Sequence, residues 1–320
     1  MAGLLMLATV PAVSQSAMQT PEMYFSDSTA SSTYPNAKDP QVISYNHHYY
    51  MYYSVPPSHG LPWRIGVAGS DDLTHWRKLG EVQPQESYEQ KGLCAAGALV
   101  KDNRVHLFYQ TYGNGKKDAI CHAVSTDAVH FKRDATNPVF HPHGDWTCGR
   151  AIDADVVSYQ GRYWLYFATR DTAFNIQKVG VASCSPSAGF HRGDWRQMTD
   201  SAVLTPTLPW EKRCIEAPNC IQRGDRLYMF YAGAYNNAPQ QIGVAYSLDG
   251  VRWTRLSDKP FLANGAPGSW NHSESGHPCI FTDRNGTTWL FFQGNNTHGK
   301  TWYISKQKVL WKNNVPLLAE

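Results

Sequence analysis

Three acidic residues stand at the beginnings of strand-like patterns, where a plain strand has no need of a charge. Asp39, Asp153 and Glu216 each precede or begin a stretch of strand character that is followed by a turn and a second, aromatic-rich stretch. Carboxyl groups that meet in one cleft repel one another, and loss of water raises some of their pKa values. One of them can then donate a proton while another accepts one. These residues therefore predict acid and base chemistry, provided that the fold brings them together.

The segments that carry these acids belong to a repeat with five copies. In register, the copies begin at Asp39, Ala95, Asp153, Ala217 and His277, so that the intervals are 56, 58, 64 and 60 residues. Each copy closes with a second motif, which is a short strand, a turn rich in Ser, Asp and Gly, and usually an aromatic residue. Each unit thus holds about four strands, and no stretch shows sustained helical periodicity.

Four-stranded units repeated radially form a β-propeller, so we predict an all-β fold with five blades. A β-sandwich or two small β domains are the alternatives, but neither needs five evenly spaced copies. In a propeller the first strand of each blade lines the central channel. The five aligned starts should therefore converge at one end of that channel, where they read acid, Ala, acid, acid and His. This arrangement suits hydrolysis of a glycosidic bond, in which one carboxylic acid protonates the leaving oxygen and another carboxylate activates water.

Three short motifs make a family resemblance specific. Lys38-Asp39-Pro40, Ala151-Ile152-Asp153-Ala154 and Ile215-Glu216-Ala217-Pro218 resemble the base motif, the Ile-Asp-Pro motif and the Glu-Gly-Pro acid motif of glycoside hydrolase family 43. Ala replaces the Pro of the second motif and the Gly of the third. The family belongs to a wider clan of five-bladed propeller enzymes that includes the family 32 invertases and levanases. The resemblance covers residues from about 35 to 310.

The resemblance implies a role for each carboxylate. Asp39 would be the general base that activates water, and Glu216 would be the general acid. Asp153 would tune the pKa of the acid and hold it in position. On the residues alone three alternatives stay open: Asp39 before Pro40 as a turn residue, Asp155 in place of Asp153 on the same strand face, and Glu216 as an exposed surface residue.

His277 takes the same slot in the fifth copy, directly after Gly276. The resemblance implies that this His lies below the substrate, and in some family members it helps to hold a metal ion in the channel. A structural calcium is therefore one expectation, and a hydrogen-bonded wall residue is the other. The identity of any metal is unknown at this point, and no cofactor is required.

The remaining candidates for sugar binding are aromatic and basic residues just before the last three strand starts. Trp146, Trp210 and Trp270 precede those starts by six or seven residues, in loops between blades. Sugar rings present apolar C–H faces that pack on aromatic rings, so at least one tryptophan is predicted to form a subsite wall. A repeated packing aromatic is the alternative. Arg150 and Arg213 lie near the same mouth, where a guanidinium suits a sugar hydroxyl or a carboxylate.

The N-terminal 17 residues differ from the rest. An apolar stretch over residues 4–10 is followed by small residues, as at the end of a secretory signal peptide, and it is too short to span a bilayer. We therefore predict a signal peptide over 1–17, a single catalytic propeller over 18–320 and a secreted or periplasmic location. The net charge of +3 argues against nucleic acid as a partner, and a monomer is expected. Cys148 and Cys214 could pair after export, although buried free thiols also explain the seven cysteines.

Together these features predict a glycosidase that acts on oligosaccharides derived from plant or algal polysaccharides. The expected reaction is inverting, of the α-L-arabinofuranosidase or β-xylosidase type. Within the clan, the alternative is a retaining family 32-like β-fructosidase with Asp39 as its nucleophile. Outside the enzymes, it is a non-catalytic carbohydrate-binding propeller. The sugar and its linkage depend on loop shape rather than on the fold.

Overall fold

The computed structural model describes residues 23–30 and 33–319. The predicted signal peptide over residues 1–17 lies outside these ranges and stays a prediction. Within them, the chain forms twenty strands and three short 3-10 helices. The helices are Ser87–Glu89, Gly115–Lys117 and Arg192–Asp194.

The strands form five antiparallel sheets of four, and in each sheet they follow chain order. This confirms the predicted five-bladed propeller. Blade 1 contains β1 Lys38–Tyr45, β2 His48–Val55, β3 Arg64–Ser70 and β4 Arg77–Val82. Blade 2 contains β5 Leu93–Lys101, β6 Arg104–Thr111, β7 Ile120–Ser125 and β8 Lys132–Arg133. Blade 3 contains β9 Ile152–Tyr159, β10 Arg162–Arg170, β11 Gln177–Cys184 and β12 Arg196–Gln197. Blade 4 contains β13 Ile215–Arg223, β14 Arg226–Gly233, β15 Gln241–Ser247 and β16 Thr254–Arg255. Blade 5 contains β17 Glu274–Thr282, β18 Thr288–Asn295, β19 Tyr303–Lys312 and β20 Val315–Leu318.

The core lies between neighbouring sheets rather than inside any one of them. One cluster joins Tyr52 of blade 1 to Leu107 of blade 2, and the clusters that follow join each later pair of blades in turn. Because the second strands are covered on both faces, β2 and β10 read as nearly continuous apolar and aromatic runs instead of alternating patterns. The outermost strand β4 alternates in exposure, as expected at the rim.

The ring closes without a strand shared between its two ends. Blade 1 and blade 5 are each built from one continuous stretch of chain. A segment that precedes blade 1, over residues 23–30 and 33–37, lies across the junction between these blades. Phe25 and Ile304 of β19 exchange backbone hydrogen bonds of 2.8 Å, and Ala37 N–H donates to the carbonyl of Trp302. The Trp76 indole N–H lies 3.2 Å from the sulfur of Met23 on the blade 1 side. Residues 23–30 and 33–37 therefore strap the first and last blades together.

The inner strand of each blade has an irregularity at the same position. Asp39, Ala95, Asp153, Ala217 and His277 have positive φ angles between 44° and 53°. In each blade the register with the second strand shifts at this position, as at a β-bulge. Left-handed conformations cost energy for residues other than Gly and cluster at functional sites. The five aligned starts of the sequence repeat are thus five equivalent bulges around the channel.

All seven cysteines are free thiols, and six of them are buried. The pairing of Cys148 with Cys214 that the sequence left open is therefore absent. In the part of the chain that the structure describes, no helix has the length and apolarity needed to cross a membrane.

Candidate active site

Four of the five bulge residues line a cavity of about 240 Å³ at one end of the channel, namely Asp39, Ala95, Asp153 and His277. Asp39, Asp153, Glu216 and His277 all line it, and each is only 7–8% exposed. The structure thus brings together the three carboxylates and the histidine that the sequence singled out. Glu216 stands one residue before its bulge, at Ala217, whereas the other three occupy bulge positions.

His277 lies between two of the carboxylates. Its Nδ1 is 3.0 Å from Oδ1 of Asp39, and its Nε2 is 3.5 Å from Oε1 of Glu216. Burial opposes a charge on the ring, but the Asp39 carboxylate and the hydrogen bond to Glu216 outweigh it and raise the pKa of His277 to about 9. The imidazole is therefore a cation at neutral pH, with one anion at each nitrogen.

Asp39 is the carboxylate best prepared to accept a proton. Burial is the largest influence and acts to raise its pKa, but the positive charges of His277 and Lys38 hold that pKa below its ordinary value. The Asp39 backbone N–H donates to Oε1 of Gln293 at 2.8 Å, which fixes the bulge. Asp39 is therefore ionised at neutral pH and rigidly placed.

Glu216 is held by two amide side chains. Gln240 Nε2 donates to Oε1 at 2.6 Å, and Gln177 Nε2 donates to Oε2. Burial again acts to raise the pKa, but the hydrogen bond from His277, its charge and the Gln240 amide together lower the pKa of Glu216. Glu216 therefore carries a negative charge at neutral pH.

Asp153 behaves in the opposite way. Burial, aided by the charges of Glu216 and Asp39, raises the pKa of Asp153 to about 7, although His277 and Arg150 act against the rise. Its Oδ2 accepts the backbone N–H of Ala217 at 3.4 Å. Asp153 thus holds a proton up to about neutral pH, close to the carboxylate of Glu216.

The sequence left Asp155 open as a rival of Asp153, and the structure separates the two. Asp155 lies deeper in the channel, where its Oδ2 accepts the Cys220 N–H at 2.8 Å and its Oδ1 accepts from Asn219 Nδ2 at 3.1 Å. Asn219 in turn accepts from Ile280 N–H. Asp155 therefore ties three blades together below the pocket, and it does not line the cavity that holds Asp153.

The donor atoms in the pocket do not favour calcium. Asp153, Glu216 and His277 offer one atom each within 4.8 Å of one another, whereas Ca²⁺ takes six to eight oxygen ligands. Both nitrogens of His277 already face carboxylates, which suits an imidazolium ion pair. These three groups could hold a metal ion, but they supply few of the oxygen ligands that calcium takes, so the structural calcium stays a prediction.

A family model described as glycosyl hydrolases family 43 matches residues 34–315. The chain belongs to this family. Its members are glycosidases, so the protein is a glycoside hydrolase with a carbohydrate substrate.

Solved structures of other propeller enzymes share the fold of this family 43 member. A thermostable family-43 glycoside hydrolase aligns with a TM-score of 0.71 and 19% identity, over 89% of this chain and 93% of the other. An endo-1,4-beta-xylanase from Bacteroides thetaiotaomicron aligns with a TM-score of 0.71 and 20% identity, over 90% and 95%. A GH32 beta-fructofuranosidase from Bombyx mori aligns with a TM-score of 0.72 and 13% identity, over 94% and 65%. At these identities the likeness concerns the fold alone.

The three tryptophans predicted at the mouth of this family 43 site do not line the cavity. Each is half-buried and covers a glycine of its own blade, which is the packing alternative that the sequence left open. The pairs are Trp146 on Gly180, Trp210 on Gly233 and Trp270 on Gly294. A glycine leaves room for the large ring on the sheet surface, so the repeat of tryptophans reflects blade packing.

Aromatic residues that the sequence did not select line the cavity instead of the three tryptophans. Trp63, Tyr112 and Tyr235 line the cavity, and the rings of Trp63 and Tyr112 meet edge to face at 5.5 Å. Arg150, which the sequence did select, also lines it and pairs with Asp118 at 3.2 Å. The sequence reasoning missed the three rings because they sit in loops outside the repeat register.

The amides that fix the bulges were also missed. Gln293 of β18 holds the bulge at Asp39, and Gln110 of β6 accepts the Asp153 N–H at 2.6 Å. In both cases the backbone N–H of the bulge residue donates to a glutamine on the second strand of the preceding blade. The available signal was a Gln after a pair of aromatic residues near the end of each of these strands.

Proposed function

We propose that this family 43 enzyme hydrolyses α-L-arabinofuranosyl or β-D-xylosyl linkages with inversion at the anomeric carbon. The observation that carries the proposal is the placement of Asp39 and Glu216 at opposite nitrogens of the His277 ring. A carboxylate that is ionised and rigid stands on one side, and a second carboxylate with a nearby proton source stands on the other.

In the proposed reaction Asp39 removes a proton from water, and the water oxygen attacks the anomeric carbon. The bond to the leaving oxygen breaks at the same time, and Glu216 donates a proton to that oxygen. Before substrate binds, this proton rests on Asp153, whose pKa of about 7 keeps it protonated below neutral pH. It passes to Glu216 when the substrate occupies the pocket, so Asp153 acts as the reservoir for the acid.

The separation of the two carboxylates supports inversion. Inverting glycosidases hold them about 6.5–9.5 Å apart to admit a water molecule, whereas retaining ones hold them about 5–5.5 Å apart. Here a whole imidazole ring stands between Asp39 and Glu216, with contacts of 3.0 and 3.5 Å on its two sides. This spacing favours a water molecule over direct attack by Asp39, as a retaining β-fructosidase would require.

Two variants test the roles. Asp39→Asn should lower kcat/KM by about 10²–10⁴-fold on every substrate, because the amide cannot remove the proton from the attacking water. Glu216→Gln should lose a similar factor on oligosaccharides but much less on aryl glycosides with acidic leaving groups, which depart without protonation. The substrates are aryl arabinofuranosides, aryl xylosides and the corresponding oligosaccharides. Asp225→Asn, at an exposed turn, is the matched control.

Proton NMR of the first-formed product separates inversion from retention. Retention would contradict the base role of Asp39 and would favour the fructosidase type of mechanism. Wild-type activity of Asp39→Asn would refute the assignment of the base. If neither the wild type nor the variants turn over any substrate but all bind sugar, the site is a binding site without catalysis.

A further inference from the structure

The pocket holds more positive charge than acid and base chemistry needs. Besides His277, it is lined by Lys38, Arg150 and Arg170. The Lys38 ammonium lies 4.6 Å from the Trp302 ring centre and hydrogen-bonds to Asn236. The positive charge of Lys38 lowers the pKa values of Asp39 and Glu216, so this charge balances the negative charge of the two carboxylates. The two arginines, on the blade 3 side, need a separate explanation.

Arg150 is neutralised, but Arg170 is not. Arg150 Nε lies 3.2 Å from the buried carboxylate of Asp118. Arg170 forms no ion pair with any residue that the structure describes, and its one side-chain hydrogen bond runs from Nε to Oε1 of Gln177 at 2.9 Å. The neighbouring Asp171 carboxylate feels the charge of Arg170 but forms no ion pair with it, and its Oδ1 accepts the backbone N–H groups of Asn175 and Ile176. Among the residues that the structure describes, none accepts a hydrogen bond from the remaining N–H groups of Arg170.

The surrounding loop holds the two guanidinium groups beside each other. The Phe174 ring centre lies 4.5 Å from the guanidinium carbon of Arg170 and 5.9 Å from that of Arg150. Tyr235 flanks Arg170 on another side, at 5.2 Å. Phe174 has a positive φ of 61°, a strained conformation for a large side chain. Aromatic rings orient a guanidinium and leave its edge free to donate.

Further positive charge lies outside the pocket on the same side. Lys116 and Arg213 are exposed, and their side chains bond only to Thr172 O and to Asn175 Oδ1. Neither forms an ion pair with a described residue. A cavity wall and rim of one charge sign concentrate ligands of the opposite sign.

We propose that Arg170, with Arg150 beside it, binds a carboxylate carried by the substrate, so that the enzyme acts on acidic oligosaccharides such as those that contain a uronic acid. The planar fork of a guanidinium matches the two oxygens of a carboxylate. This proposal rests on the proposed function, because it uses the same pocket. An inorganic phosphate presents the same oxyanion chemistry, so the test must separate the two sources.

The test compares one ligand with and without its charge. A xylo-oligosaccharide that bears one glucuronic acid is prepared as the free acid and as the methyl ester, and its binding to the Asp39→Asn variant is measured by calorimetry. The acid should bind about 10- to 100-fold more tightly than the ester. Adding Arg170→Gln should remove this preference while the affinity for the ester changes by less than about 3-fold, and Arg170→Lys should restore part of the preference.

Turnover provides the second measurement. In the otherwise wild-type enzyme, Arg170→Gln should lower kcat/KM for the acidic substrates by about 10- to 100-fold more than for their methyl esters, whereas Arg104→Gln, at an exposed strand end, should leave both values unchanged. Equal binding of acid and ester, or equal losses for both in Arg170→Gln, would overturn the proposal while leaving the acid and base roles intact. Release of a sugar phosphate in phosphate buffer would overturn it in favour of phosphate as the bound anion. Loss of acid binding is thus distinguishable from failure of the proposed hydrolysis, which the Asp39 variant reports.

Discussion

Replacement of Asp153 by Asn should make the folded protein more stable above neutral pH. Burial raises the pKa of this carboxyl from 3.8 to about 7 in the folded state. A folded-state pKa above the unfolded value means that the folded state binds more protons, so stability falls as the pH rises from 3.8 to about 7. Asn has nearly the same shape and no charge, so the variant avoids this loss.

The magnitude follows from the two pKa values. Their difference is about 3.2 pH units, which at 1.36 kcal/mol per unit corresponds to about 4 kcal/mol. The free energy of unfolding of Asp153→Asn should therefore equal that of the wild type near pH 4 and exceed it by up to about 4 kcal/mol near pH 8. The single acceptor bond from Ala217 N–H can be kept by the amide oxygen of Asn.

Urea-induced unfolding followed by the fluorescence of the 11 tryptophans measures this difference. The experiment is run at pH 4.5, 6 and 8, beside the exposed control Asp145→Asn. A variant that is no more stable at pH 8 than at pH 4.5, relative to the wild type, would refute the argument. The same variant should lose activity, because a costly buried carboxyl is kept for its chemistry rather than for the fold.

Three further predictions concern other parts of the molecule. His277→Gln takes a cation away from the two carboxylates that flank it, which raises their pKa values. The acidic limb of the pH profile of kcat/KM should therefore move to higher pH, and an unchanged limb would contradict the ion pairs. Glu211→Ala leaves the largely buried Arg255 without its partner and should cost about 3–5 kcal/mol in urea unfolding, whereas a cost under 1 kcal/mol would mean that the pair contributes little. Gly97→Ala places a methyl group against the carbonyl of Ala154, next to Asp153, so both thermal stability and kcat should fall; normal kcat in the folded variant would show that the channel wall can move.

The positions of the five bulges could be predicted from the sequence because the chemistry marks them. Asp39, Asp153 and His277 are polar residues at the start of inner strands, and their even spacing gives the register of Ala95 and Ala217. The blade count follows from the same spacing. What the pattern could not give is the left-handed backbone at these positions, because φ is fixed by partners from the preceding blade that lie 40 or more residues away in sequence.

The walls of the pocket were harder to predict for a different physical reason. Trp63 and Tyr235 lie in loops of unequal length, so no repeat register points to them, and Phe174 places two arginines together only through a strained loop. The tryptophans before the strand starts carried a regular spacing because blades must pack on one another. In this fold regular spacing therefore marks packing and the channel, whereas irregular loops determine what the pocket recognises.

The junction between the first and last blades passes through the candidate active site. Asp39 belongs to blade 1, and both His277 and Gln293, its contacts, belong to blade 5. In the described part of the chain no common sheet joins these blades, so side-chain contacts and the strap over residues 23–30 and 33–37 keep Asp39 within reach of His277. If blades 1 and 5 separate, the distance between Asp39 and His277 increases. The catalytic rate should therefore report on whether the first and last blades remain in contact.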